Sequence, residues 1–120
     1  MAESRTILHL LPLTPATLHI LLCLAEDSRH GYAIKQEVEE RTRGRIRLGP
    51  GTLYEGIHRL EAKGLIEECP GGGEDDHSQR RYYRISGLGR RAMEAELRRL
   101  DEILSFARSR NLAPDSEVSS

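Results

Sequence analysis

Gly49-Pro50-Gly51-Thr52-Leu53-Tyr54 opens a segment that runs on to Gly64-Leu65-Ile66, and its reading decides the fold. Gly49 stands at a cap position and Pro50 at the first helical position, where its missing N–H costs nothing. At ~100° per residue, Ile57 and Leu60 fall within about 40° of Leu53, so these three form one inward stripe. Gly64 stops the helix and Leu65-Ile66 begins a strand. The opposite face carries Gly51, Glu55, His58 and Ala62, flanked by Thr52, Tyr54 and Arg59. Small and polar residues there suit a helix lying in a groove. They equally suit an ordinary amphipathic helix with a solvated face.

The residues that follow favour the groove. Leu65 to Cys69 and Arg81 to Ile85 are strand-like, joined by a segment that contains Gly71-Gly72-Gly73 and Glu74-Asp75-Asp76. Three glycines in a row predict a mobile tip without regular structure. Alternation in the second strand puts Arg81, Tyr83 and Ile85 on one face and Arg80, Tyr82 and Arg84 on the other. Arginines at a hairpin base can reach phosphates or the minor groove. The tyrosines are expected to pack on the core, and the acidic tip works against DNA contact there. Helix, strand, tip and basic strand are the recognition half of a winged helix-turn-helix.

Upstream, residues 1–12 read as an arm, either loose or a short helical extension. Thr14-Pro15 starts a helix carrying the stripe Leu18, Leu21, Leu22 and Ala25, apolar enough to be central in the core. A second helix is expected from about His30 to Thr42, with Ile34 and Val38 inward and Gly44 as its left-handed terminator. Arg43, Arg45 and Arg47 alternate with Gly44, Ile46 and Leu48, which predicts a short extended segment. Downstream, Ser86 caps a last helix over residues 87–110. Met93, Leu97, Leu100, Leu104 and Ala107 repeat at four-three-four-three spacing, a seam of about two heptads. A second copy of the chain is the simplest partner for it, and folding back on its own domain is the alternative. Residues 111–120 are polar and expected to be disordered. The expected fold is mainly α with a small β-hairpin: a winged helix-turn-helix domain over residues 13–86 plus a C-terminal dimerisation helix.

Composition sets the outer bounds. The chain has 120 residues, 38% of them hydrophobic, only 4% aromatic and none Trp, so its core must be aliphatic. A net charge of −1 decides nothing about nucleic acid, but its distribution does. Residues 78–91 hold five Arg and no acid, whereas residues 92–120 hold six acids and four Arg. Cys23 lies in an apolar run and reads as a buried thiol; with Cys69 it makes no zinc-type spacing. No metal or other cofactor is expected. His9, His19, His30, His58 and His77 form no ligand pair within one helix, and no nucleophile triad or phosphate-binding Gly loop is evident, so an enzyme is not expected. The apolar run 7–13 is shorter than the ~20 residues a membrane span needs and lacks a cleavage signal. No membrane partner is expected, and the chain reads as cytoplasmic.

Several stretches together resemble the PadR family of bacterial transcriptional regulators. They are His30-Gly31-Tyr32, Gly49 to Tyr54, Arg59-Leu60-Glu61-Ala62-Lys63-Gly64-Leu65-Ile66-Glu67 and Arg81-Tyr82-Tyr83-Arg84-Ile85. The resemblance covers about residues 13–104 and is closest to the short subgroup with a single C-terminal helix. It implies a homodimer joined through those helices, binding a pseudo-palindromic double-stranded DNA operator, usually as a repressor. It also implies that some relatives sense aromatic compounds in a pocket at the dimer interface, so a small-molecule effector is one option for this chain. Gly49 stands where the family commonly has Ser, Glu55-Gly56 replaces a Pro-Ala-like pair, and Gly87-Leu88 replaces a polar pair. The residues expected at DNA are Thr52, Tyr54, His58 and Arg59 on the third helix, with Arg80, Arg81, Arg84 and Arg90 on phosphates. Some of these arginines are expected to pair with Glu67, Glu68 or Glu94 instead. Met93, Leu97, Leu100, Leu104 and Ala107 are expected at the dimer seam. The competing reading is a winged-helix module that binds protein and no longer reads DNA.

Overall fold

The computed structural model describes residues 2–71 and 80–114. The tip expected to be mobile and the end of the tail expected to be disordered lie outside these residues. Five helices run in the order α1 (Ala2–Leu10), α2 (Pro15–Glu26), α3 (Gly31–Arg41), α4 (Pro50–Ala62) and α5 (Gly87–Ser109). Three short strands, β1 (Arg29–His30), β2 (Ile66–Cys69) and β3 (Tyr82–Ile85), form an antiparallel sheet in the order β1-β3-β2. The protein is mainly helical, with a winged helix-turn-helix at its centre.

Each helix begins and ends where local chemistry dictates. Thr14 caps α2 by accepting the Thr17 N–H at 3.1 Å, with Pro15 at the first helical position. Gly49 occupies the cap of α4 and supplies no side-chain hydrogen bond, as its missing hydroxyl requires. At the far end of α4, Gly64 takes φ +75° while the Leu65 N–H reaches the Leu60 carbonyl at 3.0 Å and the Gly64 N–H reaches Glu61 at 2.9 Å. That pattern closes the helix and starts the wing. Ser86 donates its hydroxyl to the Gly64 carbonyl at 2.6 Å and accepts the Gly89 N–H at 2.9 Å, so one residue ties the wing's return to the start of α5.

The stretch between α3 and α4 differs from the extended segment its alternation suggested. Arg43 and Gly44 both have positive φ, 55° and 77°, and the Gly44 N–H bonds the Glu39 carbonyl at 2.8 Å. Thr42 then donates its hydroxyl to the Val38 carbonyl and accepts the Ile46 N–H, winding the chain into a turn. The alternation survives as burial only: Leu48 is in the core, and Arg43, Arg45 and Arg47 are exposed. Hydrophobic anchoring and a strand geometry give the same sequence pattern over so few residues.

The core gathers Leu21, Cys23 and Leu24 of α2, Ile34 and Val38 of α3, and Leu53, Ile57 and Leu60 of α4. Leu65, Ile66 and Tyr83 from the sheet and Ala92 and Met93 from α5 complete it. Of the two tyrosines expected to pack on the core, Tyr83 does so at 1% exposure, whereas Tyr82 is half-buried against the His30 ring. α1 is helical and packs on α5.

Candidate nucleic-acid interface

The two-residue strand β1 sets the geometry of the exposed face. It pairs Arg29 with Tyr83 and His30 with Tyr82, so the start of α3 lies directly against the wing. His30 ends β1 and caps α3 in one step, its Nδ1 accepting the Ala33 N–H at 3.1 Å. Its neighbour Gly31 is in contact with α4. A Cβ there would stand 3.1 Å from the Tyr54 ring, so the absence of a side chain lets that ring cover the start of α3.

A cavity of about 330 Å³ opens between these three elements. Its walls include His30 and Tyr32 from the start of α3, Tyr54 and His58 from α4, and Arg80 and Arg81 from the base of the wing. Four of the eight residues expected at DNA thus converge: Tyr54, His58, Arg80 and Arg81. Thr52 and Arg59 are exposed on the other flank of α4, where a second hollow of about 310 Å³ faces α2. Gly51 and Gly56 leave open space along the helix between them. Arg84 and Arg90 line neither hollow.

Acids already occupy several of these cations. Arg59 pairs with Glu55 at 3.0 Å across one turn of α4, and His58 lies 3.5 Å from Glu61. Arg84 pairs with Glu67 at 2.9 Å and Arg81 with Glu68 at 3.7 Å, the wing partners expected from sequence. Arg90 reaches back to the Ala25 carbonyl at 3.2 Å and closes the end of α2. All the paired side chains are on the surface, where such bridges contribute only about 0–1 kcal/mol and exchange partners readily. Arg81 precedes β3, so the strand alternation that buries Tyr83 does not govern its side chain.

Tyr32 and His30 are the residues the site reading missed. Tyr32 entered only as part of a family pattern, and His30 otherwise only as a helix start and a histidine without a ligand pair, because a strand of two residues is too short to show alternation. The one local signal was a histidine at a helix cap, an uncommon choice beside Ser, Thr, Asp and Asn.

The seam residues divide along α5. Met93, 6% exposed, is taken up by the chain's own core together with Gly89, Ala92 and Glu96. This corrects its place in the seam, because the first turns of α5 pack on α1 and α2. From Leu97 onward the helix projects past the core. Leu97, Leu100 and Leu104 are each close to 39% exposed, with Ile103 and Phe106 more so and Ala107 half-buried. Among the described residues, no group of three or more His, Cys, Asp or Glu is placed to hold a metal, and no helix is long and apolar enough to cross a membrane.

A helix-turn-helix flanked by a short sheet, with a basic cleft between them, defines a winged-helix protein of the kind that regulates transcription. Residues 20–95 match the transcriptional regulator PadR-like family, and the chain belongs to that family. It is 40% identical to the transcriptional regulator Rv3488 of Mycobacterium tuberculosis over 89 residues, 72% of this chain and 76% of that one. It is 41% identical to an uncharacterized protein of Lysinibacillus sphaericus over 71 residues, 59% of this chain. The match spans 64% of that relative, just under two thirds of its length. A PadR family transcription regulator from Clostridium difficile superposes with a TM-score of 0.67 over 80% of this chain and 97% of its own. At 23% identity that likeness bears on the fold alone.

Proposed function

We propose that this PadR-like regulator binds double-stranded DNA as a homodimer and represses transcription from a pseudo-palindromic operator. In this reading residues 13–86 contact DNA and residues 87–110 join the two subunits. The outer face of α4 enters the major groove, with Thr52 and Arg59 toward one groove wall and Tyr54 and His58 toward the other. Arg80 and Arg81 meet the phosphate backbone. The observation that carries it is the cleft itself, which gathers His30 and Tyr32 from the start of α3, Tyr54 and His58 from α4, and Arg80 and Arg81 from the wing base around one open hollow. The exposed leucines of α5 supply an apolar surface for a second copy. An effector would meet mostly aliphatic walls there, with Phe106 under the Arg110 guanidinium as the aromatic element.

A specific observation favours the protein-binding alternative: Glu55, Glu67 and Glu68 already neutralise three of the arginines assigned to DNA. Selection from random duplex DNA separates the two readings. The DNA reading expects enrichment of a two-fold symmetric sequence whose affinity falls steeply with salt. No enrichment and no salt-dependent binding would put the protein-binding module first.

A further inference from the structure

α4 carries an acid at the centre of the face it turns outward. At ~100° per residue, Glu55 lies about 170° from the stripe of Leu53, Ile57 and Leu60, with His58 and Arg59 each about 130° from it, one on either side. The Glu55 side chain is 72% exposed and pairs with Arg59 at 3.0 Å, one turn farther along the helix. Glu61, the other acid of α4, stands nearer the stripe and beside His58. One turn before Glu55, a Cβ at Gly51 would meet nothing within 4 Å, so the backbone there leaves room for a close approach. A carboxylate brought among phosphates is repelled whatever the sequence, and only a donor on a base edge offsets that. In the major groove cytosine offers its N4 amino group, whereas adenine sets the N7 acceptor beside its N6 donor. Guanine and thymine present acceptors, which a carboxylate cannot meet. Cytosine is therefore the base an acid selects, as much by the penalty against the others as by the bond gained.

We propose that Glu55 reads one cytosine in each operator half-site, accepting a hydrogen bond from the cytosine N4 amino group while Arg59 partly neutralises the carboxylate. This rests on the DNA-binding reading above and adds to it a base and the residue that selects it. By charge alone Glu55 weighs against DNA binding. As a reader of cytosine it trades general affinity for sequence choice.

Selection from random duplex DNA, run in parallel on the full chain and on its Glu55→Ala, Glu55→Gln and Arg59→Ala variants, tests it. Both positions are exposed on the surface, so the variants keep the fold. The unaltered chain should require cytosine at one position per half-site, and another base there should weaken binding about tenfold. Glu55→Ala should lose that discrimination while binding random duplex more tightly. Glu55→Gln should admit adenine, whose N6 and N7 match an amide. Arg59→Ala should keep the cytosine preference at lower general affinity. A half-site with no required cytosine, or discrimination that survives intact in Glu55→Ala, overturns the proposal. Retention in Glu55→Ala with loss in Arg59→Ala would assign the position to an arginine reading the paired guanine, and overturns it too. If the unaltered chain binds no duplex, the DNA reading itself fails and this proposal with it.

Discussion

Glu96 is 2% exposed on the inner face of α5, with Arg99 donating Nε and Nη2 to its two oxygens, each at 2.8 Å. Those bonds hold its carboxyl below the ordinary carboxylate range against the opposing effect of burial, and the Leu13 N–H adds a further donor. A folded-state value below the unfolded one stabilises the fold fully above the ordinary range, and the gain is lost as pH falls through the folded value. Arg99→Ala should therefore lower Tm at neutral pH by leaving a buried carboxylate short of its partner. The gap between variant and parent should begin to shrink as pH falls below the ordinary carboxylate range, and close only once pH has passed below the folded value, where both carry a neutral Glu96. A gap that stays constant with pH would show that the pair does not act through charge. Cys23 behaves in the opposite sense, since burial and the Glu37 carboxylate beside it push its thiol up to about 12. In native protein a thiol reagent should modify half-buried Cys69 and spare Cys23; modification of Cys23 without unfolding would contradict the packing of α2. Burial of Cys23 was legible in its apolar run. Glu96 was not, because an acid at that position looks like any solvated helix residue until α1 and α2 cover it.

At the scale of elements, the helices from α2 onward were legible almost to the residue, because Thr14, Pro15, Gly44, Gly49, Pro50, Gly64 and Ser86 mark ends by local chemistry, whereas α1 stayed open between an arm and a helix. β1 was not, since its two residues are strand only because β3 lies beside them. The crossing of α5 over the wing was equally hidden. A Cβ at Gly89 would run into the Leu65 carbonyl oxygen, which accepts the Ser86 N–H at 3.0 Å. Gly89→Ala should cost about 1–3 kcal/mol by overpacking, although Ala is ordinarily the better helix former. Urea denaturation measures it, and a neutral or stabilising result would place α5 elsewhere. Farther along α5, Leu97→Asp with Leu104→Asp should yield folded monomers, because both side chains sit on the free part of the helix. Light scattering that still finds a dimer for the folded double variant would remove α5 as the joint.

For the whole molecule, a net charge of −1 conceals a local arrangement in which several surface arginines are paired with acids. Surface bridges such as Arg84–Glu67 are weak enough for phosphate to replace the acid, yet each such exchange returns little net affinity. In the DNA-binding account, the cations that line the cleft therefore matter more than the total number of basic residues, although Arg81 also pairs with Glu68. This ranking could not be drawn from spacing, which treats Arg80, Arg81, Arg84 and Arg90 alike. The structure separates them, because only the first two line the hollow between α3, α4 and the wing. The most direct measurement is log affinity against log salt on a selected duplex for each single Arg→Ala variant. The DNA-binding account predicts that Arg80→Ala and Arg81→Ala each reduce the slope by about one unit per subunit, with smaller changes for Arg84→Ala and Arg90→Ala. Parental slopes for both Arg80→Ala and Arg81→Ala would contradict it.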